Sequence, residues 1–360
     1  MRAAVLHGPG DLRVEETDEP DGEVLVEVRA ATACGTDRKM LRHGHRILGD
    51  YPARFGHETA GVRVDTGERV FVSDSVACGV CGPCRAGRAA ICRAPTWVLG
   101  GFAERIAAPP GALHAIPDGL DFAGAAMAEP LAACVHAMGR GTDATDVAVL
   151  GGGTIGLMLA RLLVLDGRDV LVCDRHPERR AQAQAFGARA ADALGEHDLV
   201  FEAVGRVEAW EQAVAAARPG GTAVLVGGCP AGTTVQLDTA PLHYDEVDVR
   251  GAFHHTRAEI DRALALLAAG EVDWHALAGD VIGLEDLAGA LVAPSAGEAR
   301  KLVVEPSPLG GRWRSRCAPW PGHPLLARPA RPCRSRHRPS HPRAHGRSTA
   351  TSVPWRAPRP

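Results

Sequence analysis

No uninterrupted run of about 18 apolar residues occurs in this 360-residue chain, so nothing in it reads as a membrane span. Its opening, MRAAVLHGPGDLRVEE, has neither the apolar core nor the small-residue cleavage site of a secretory leader, and a cytoplasmic setting is expected. No internal repeat is present, which excludes a solenoid or array. Residues 307–360 lack Asp, Glu and Lys altogether but hold twelve Arg and many Pro, with no apolar period. Such a composition cannot bury a core, and disorder is expected there. An inert tail, a nucleic-acid-binding arm and an out-of-frame reading of a GC-rich gene are the competing accounts. The abrupt change of composition just after KLVVEP favours the last. The first 306 residues then carry 28 basic side chains against 43 acidic ones, which leaves no electrostatic case for nucleic acid outside the tail.

Two rhythms organise the rest. Up to about residue 115 the apolar runs are short and β-rich (EVLVEVRAA, TAGVRV, RVFVSD, FAERIAAP), and Gly and Pro punctuate them as in a small barrel or twisted sheets. From about 145 the runs DVAVLG, DVLVCD, DLVFEAVG, GTAVLVG and DVRGAF are separated in several places by helical segments such as TIGLMLARLLVLDG. That alternation predicts right-handed βαβ units and a parallel sheet. Beyond 253, RAEIDRALALLAAGEV and LEDLAGALVAP read as amphipathic helices and ARKLVVEP as a final strand.

Within VLGGGTIGLM, Gly151, Gly153 and Gly156 form G-x-G-x-x-G between an expected strand and an expected helix. In a chain with 42 glycines a chance match is common, so the context has to carry the inference. Here Asp174 ends the next strand about twenty residues on, where a carboxylate meets a ribose 2′-hydroxyl. A dinucleotide site follows, with NAD preferred over NADP because Asp174 repels a 2′-phosphate. Arg175 and Arg179 pull the other way.

Cys78, Cys81, Cys84 and Cys92 follow C-x2-C-x2-C-x7-C. In a reducing compartment this spacing suits a closed tetrahedral zinc site rather than paired disulfides or bare thiols. Four protein ligands leave no open position, so the reaction centre is expected elsewhere. The candidates are Cys34 in ATACGTDRKM, His57 and Glu58 in ARFGHETAGV, and Glu129 in GAAMAEPLAACVHAM. Taken singly each has an ordinary reading: a buried thiol, a core histidine, a surface carboxylate, and a helix-start acid with Pro130 at the first helical position.

Together these segments resemble the zinc-containing medium-chain alcohol and polyol dehydrogenases, the family of sorbitol, glucose and threonine dehydrogenases. The resemblance covers about residues 1 to 306 and rests on CGTD, GHE, the four-cysteine lobe, AEPLA, GGGTIG and GEARKLVVEP, in family order. It implies an α/β fold. A GroES-like, β-rich catalytic domain (1–130, with a structural zinc lobe at 78–92) is followed by a Rossmann domain with a doubly wound parallel sheet (131–253). The chain then returns to the catalytic domain over 254–306, ahead of the tail at 307–360.

By the same resemblance, Cys34, His57 and Glu129 would hold a catalytic zinc, Glu58 would join it transiently, and Asp37 would fix the His57 tautomer. Thiolate, imidazole and carboxylate balance Zn²⁺ and leave one position for an alcohol oxygen. Thr36 would take the hydroxyl proton. His43 or His45 would complete a relay, although each reads more simply as a solvated loop histidine. Gly151, Gly153, Thr154, Ile155, Gly156, Asp174, Arg175 and Arg179 would form the cofactor site. The expected reaction passes a hydride from a secondary alcohol of a polyol, sugar or related compound to NAD(P), in a homodimer or homotetramer with one catalytic and one structural zinc per chain. An L-threonine 3-dehydrogenase-like enzyme is the alternative substrate reading. A catalytically inactive nucleotide-binding relative is disfavoured because no expected ligand is missing. The segment between TAGVRV and RVFV is shorter than the family has there, and a tight turn at Thr66–Gly67 is expected to absorb the difference. Cys134, Cys173 and Cys229 match no pattern and read as buried thiols, while Cys317 and Cys333 lie in the tail.

Overall fold

A computed structural model describes residues 1–293, 297 and 299–307. The expectations for the Arg-rich tail, including Cys317 and Cys333, lie outside the described residues.

The N-terminal half is built of antiparallel strands. Arg2–Gly8 pairs with Asp11–Glu16 on one side and Ala53–Arg54 on the other. A larger, mostly antiparallel sheet runs in the order Leu113–Ala115, Arg69–Val72, Glu58–Arg63, Val24–Ala33, Lys301–Val304 and Ala278–Ile282, with Arg105–Ala108 also joined to Val24–Ala33. Val24–Ala33 alternates buried and half-buried residues, as a one-sided strand should, until its last four residues are all buried. That run carries the chain into the core just before Cys34. Gly67 takes a left-handed φ of 76° in the tight turn between Glu58–Arg63 and Arg69–Val72, the place expected for the shortened loop. Ala278–Ile282, which the apolar pattern did not announce, lies parallel to Lys301–Val304.

Six parallel strands form the second sheet, in the order Arg189–Ala191, Asp169–Cys173, Asp146–Leu150, His197–Glu202, Ala217–Leu225, Asp248–Gly251. The order reverses at Asp146–Leu150: the chain first builds outward on one side of it through Asp169–Cys173 and then on the other through His197–Glu202. Ligands of doubly wound sheets bind at such a reversal, outside the carboxyl ends. Asp146–Leu150 and Asp169–Cys173 are buried along four of their five residues each, because helices cover both faces.

The helices Ala128–Met138, Thr154–Leu165 and Arg257–Ala268 pack on this sheet through one large core that includes Leu131, Leu157, Leu163 and Leu264. A second core joins the first and last parts of the chain: Leu6, Ala33, Met40 and Phe55 pack with Leu284, Leu287, Leu291 and Val304. Truncating a leucine there, Leu287→Ala for example, removes about 2–5 kcal/mol. Pro130 is the third residue of Ala128–Met138 rather than the first, since the helix begins two residues earlier than the Pro rule suggested. The position is still tolerated, because first-turn N–H groups have no partner inside the helix.

Candidate active site and metal centres

Cys34 is the N-cap of the helix Gly35–His43. Its thiol accepts from the Thr36 N–H at 3.1 Å, while the Asp37 carboxylate accepts from the Cys34 N–H at 2.7 Å. The sequence C-G-T-D thus closes a reciprocal capping box and seats the sulfur at a helix N-terminus, where the peptide dipoles favour a thiolate. Burial and the Asp37 charge oppose ionisation and push the Cys34 thiol up. His57, just ahead of the strand Glu58–Arg63, brings Nε2 to 3.3 Å from the Cys34 sulfur. Its Nδ1 faces Asp37 Oδ1 at 3.2 Å, and both of these buried atoms lack an aligned hydrogen bond. Burial works against a charged His57, but Asp37 and Cys34 outweigh it and raise the imidazole well above its ordinary value. Negative groups around a buried imidazole make a pocket suited to a cation.

Glu129 stands in the first turn of Ala128–Met138. Its carboxylate, the His57 imidazole and the Glu58 carboxylate offer ligand atoms within 4.8 Å of one another, as do Cys34, Asp37 and His57. His57 therefore joins the two sets. Donor types and number fit a zinc with an open position. Glu58 is fully buried: Thr32 Oγ1 donates to Oε2, and Lys301 Nζ donates to Oε1 at 2.7 Å. Burial pushes the Glu58 carboxyl up, to about 7, against the pull of Lys301 and with the help of Glu129.

The cysteine lobe is a separate construction. Cys81 and Cys84 sulfurs are 3.4 Å apart, Cys78 and Cys92 3.4 Å, and Cys81 and Cys92 3.8 Å. All four lie within 4.8 Å of each other and none forms a disulfide. Four sulfurs about 2.3 Å from a central ion stand about 3.8 Å apart, so the donors fit a tetrahedral zinc. The N–H groups of Arg93 and Cys84 pull Cys81 down to about 6.

At the carboxyl end of the parallel sheet, Gly151 has φ 105°, and a Cβ on Gly156 would lie 1.8 Å from the Gly151 carbonyl oxygen. Only glycine fits both places. Gly153 caps Thr154–Leu165, whose free N–H groups face outward for a phosphate. Asp174 accepts from the Gly152 N–H through one oxygen and from the His176 N–H through the other, each at 2.8 Å, and Arg179 lies 3.6 Å away. One cleft of about 1750 Å³ is lined both by Cys34, Thr36, His57, Glu58 and Glu129 and by Gly153, Thr154, Ile155 and Arg179.

His43 is exposed in the last turn of its helix, and neither it nor His45 lines that cleft. Cys134 and Cys173 are buried as expected, whereas Cys229 is half-buried and lines the cleft, being in the loop beyond Ala217–Leu225. Three features escaped the sequence reading. Lys301 is buried against Glu58. Glu202 accepts from the N–H groups of Val204, Gly205 and Gly227, tying together loops at the strand ends. Asp74, His254 and His255 cluster from two distant segments. Only the His-His doublet leaves a visible trace in the chain.

A dinucleotide fold joined to a β-rich domain with a thiolate–imidazole–carboxylate pocket defines a metal-dependent oxidoreductase of two domains. Residues 20–118 match the alcohol dehydrogenase GroES-like domain family, and residues 154–269 match the zinc-binding dehydrogenase family. The sorbitol dehydrogenase of Bacillus subtilis (strain 168) is 30% identical over 348 residues, covering 85% of this chain and 98% of that protein. The L-threonine 3-dehydrogenase of Chelativorans sp. (strain BNC1) is 29% identical over 341 residues, covering 85% and 98%. Among solved structures, a zinc-binding dehydrogenase of Sinorhizobium meliloti 1021 bound to NADP superposes with TM-score 0.79 at 30% identity, covering 85% of this chain and 99% of that one. The chain belongs to the zinc-containing medium-chain alcohol dehydrogenase family. No helix among the described residues is long and apolar enough to cross a membrane.

Proposed function

We propose that this dehydrogenase oxidises a secondary hydroxyl of a polyol, sugar or related compound with NAD in preference to NADP. In this reading Cys34, His57 and Glu129 hold a catalytic zinc, with Glu58 close enough to join it, and the four-cysteine lobe holds a structural one. The observation that carries it is the shared cleft, whose lining includes both Cys34, His57 and Glu129 and the Gly153–Ile155 segment. Bound there, zinc would supply Lewis acidity toward an alcohol hydroxyl and a nicotinamide would supply the hydride acceptor.

The chain's own side chains do the rest. Asp37 faces His57 Nδ1, which keeps Nε2 turned toward Cys34. Thr36, on the wall beside Cys34, takes the substrate proton and passes it toward solvent. Lys301 and Thr32 hold Glu58 in place beside His57 and Glu129. Asp174, already fixed by two backbone N–H groups, presents its carboxylate to the ribose hydroxyls, with Arg175 and Arg179 alongside. Self-association as a dimer or tetramer and a cytoplasmic setting, where the thiols stay reduced, complete the reading.

The test is an assay of zinc-replete protein for NAD and NADP reduction with polyols, sugars, simple alcohols and L-threonine, together with metal analysis and light scattering. Two zinc per chain and faster NAD reduction with a polyol or sugar than with threonine are expected. Reduction by none of the alcohols, or less than one zinc per chain, defeats the reading.

A further inference from the structure

A second cavity of about 1150 Å³ adjoins the cleft and shares Ala90, Phe253, His254 and Thr256 with it. Its described lining carries Arg46, Arg93 and Arg257 with His114, His254 and His255, and no Asp or Glu. That is the opposite of the chain as a whole, in which acidic side chains outnumber basic ones. Outside that lining, Asp261 Oδ1 lies 2.6 Å from His114 Nδ1 and Glu129 borders His255, while the buried Asp74 serves His254 and His255. His254 Nε2 is 3.0 Å from both of its oxygens, and His255 Nε2 is 3.2 Å from one. Burial disfavours the Asp74 charge, but the two imidazoles overcome it and hold the carboxyl below the usual range.

The wall is built with care. His254 has a left-handed φ of 63°, a strained conformation for a non-glycine residue that persists where surrounding contacts enforce it. Here the enforcing contacts are Asp74, the stacked ring of His255 at 4.1 Å and the edge of Trp97 at 5.4 Å. The bonds to Asp74 use Nε2, so the second ring nitrogen of His254 is turned away from that carboxylate. Another cavity-lining atom, His114 Nε2, is buried without a hydrogen-bond partner, and His255 Nε2 has no aligned hydrogen bond although Asp74 stands beside it. His255 Nε2 is also 3.7 Å from Glu129 Oε1, so this wall touches the catalytic centre.

We propose that the cavity receives the non-reacting end of the substrate and that this end is anionic, a carboxylate or a phosphate. The natural substrates are then acidic polyhydroxy compounds, aldonate-like acids or polyol phosphates, rather than neutral polyols. This rests on the dehydrogenase reading above. Exposed Arg46 and Arg93 offer planar donors suited to either oxyanion, and the imidazoles offer hydrogen bonds to the hydroxyls between. No acidic residue belongs to the described lining, and the carboxylates that touch its wall, Asp74, Asp261 and Glu129, are each set against one of its imidazoles.

The test compares kcat/KM of the zinc-replete protein for a six-carbon aldonate, a hexitol phosphate and the matching neutral hexitol. It does so for the wild type and for the Arg46→Ala/Arg93→Ala double variant. Titration of tryptophan fluorescence with the same three compounds, in wild type and Trp97→Phe, reads occupancy of the cavity without turnover. At least one anionic compound should exceed the hexitol by about tenfold or more, and that ratio should collapse in the double variant, chiefly through KM. The aldonate and phosphate arms separate the two oxyanions. Quenching by an anionic compound that vanishes in Trp97→Phe is expected even if none of the three is turned over; in that case the dehydrogenase reading falls and the anion cavity stands. A hexitol that matches or beats both anions, an equal loss for all three in the double variant, or a third zinc per chain that disappears in Asp74→Asn would overturn the proposal.

Discussion

Cys78, Cys81, Cys84 and Cys92 come from fifteen consecutive residues, whereas Cys34, His57, Glu129 and the supporting Lys301 are gathered from four segments across the described chain. The lobe has little around it to hold it together. Val80 is 70% exposed, Ile91 is 45% exposed, and among its apolar residues Ala90 is buried. The mixed centre is set between sheets, with Asp37, His57, Glu58 and Lys301 all buried. In the proposed reading, one centre would depend on an ion to keep its shape. The other has its shape imposed by the surrounding strands and helices and is ready for an ion. Local closure gives a structural clip, and long-range assembly gives a site whose ligands are fixed by packing.

This contrast can be broken most sharply at Cys34. Cys34→Ser should reduce turnover by at least about 1000-fold, since it removes a ligand from the position where charge develops. The thermal midpoint should stay within about 3 °C, because the capping box survives with a hydroxyl. Activity within tenfold of wild type would show that the buried centre is not the reaction centre. Lys301→Met comes next. It leaves Glu58 buried without its cation and should destabilise by about 3–5 kcal/mol in chemical denaturation. Adding Glu58→Gln should recover most of that loss, and failure to recover would mean that Lys301 acts through packing alone.

Asp37→Asn keeps the shape but weakens the grip on the His57 tautomer, so zinc affinity measured by competition with a chelator should fall about 10–100-fold. No change would place Asp37 as a helix-capping residue only. The mildest effect on catalysis is expected from Cys84→Ser. The lobe should become sensitive to limited proteolysis between residues 78 and 92 while kcat stays within about tenfold of wild type, because four-ligand sites have no open position. Abolished turnover in a folded Cys84→Ser variant would erase the distinction between the two centres.

Much of this was legible in the chain because it is written locally. The G-x-G-x-x-G turn needs glycine for steric reasons within six residues, as Gly151 and Gly156 show. The C-G-T-D box is a helix start, and the strand–helix alternation after 145 is a matter of period. What escaped depends on register between distant strands. Lys301 opens an otherwise apolar strand, and nothing in KLVVEP says that it turns inward to a glutamate 243 positions away. Ala278–Ile282 contains Gly279 and Asp280 and is half-exposed, so it has no alternating signature; its pairing with Lys301–Val304 makes it a strand. Asp74 reads as a loop acid until the chain after Gly251 brings two histidines to it. His43 is a different case: its chemistry suits a relay and it stands close to Cys34 in sequence, but it is exposed and outside the cleft lining, in keeping with the simpler reading as a solvated histidine.

The strand Lys301–Val304 lies inside the sheet, between Val24–Ala33 and Ala278–Ile282. During synthesis this imposes an order of events. Every strand of the nucleotide-binding sheet has left the ribosome once residue 251 has emerged, at a moment when the other half still lacks an inner strand and the lysine partner of Glu58. A nascent chain arrested there would own a place for the dinucleotide and no finished setting for Glu58, so in the proposed reading capture of a metal at the buried centre would belong to the closing moments of translation.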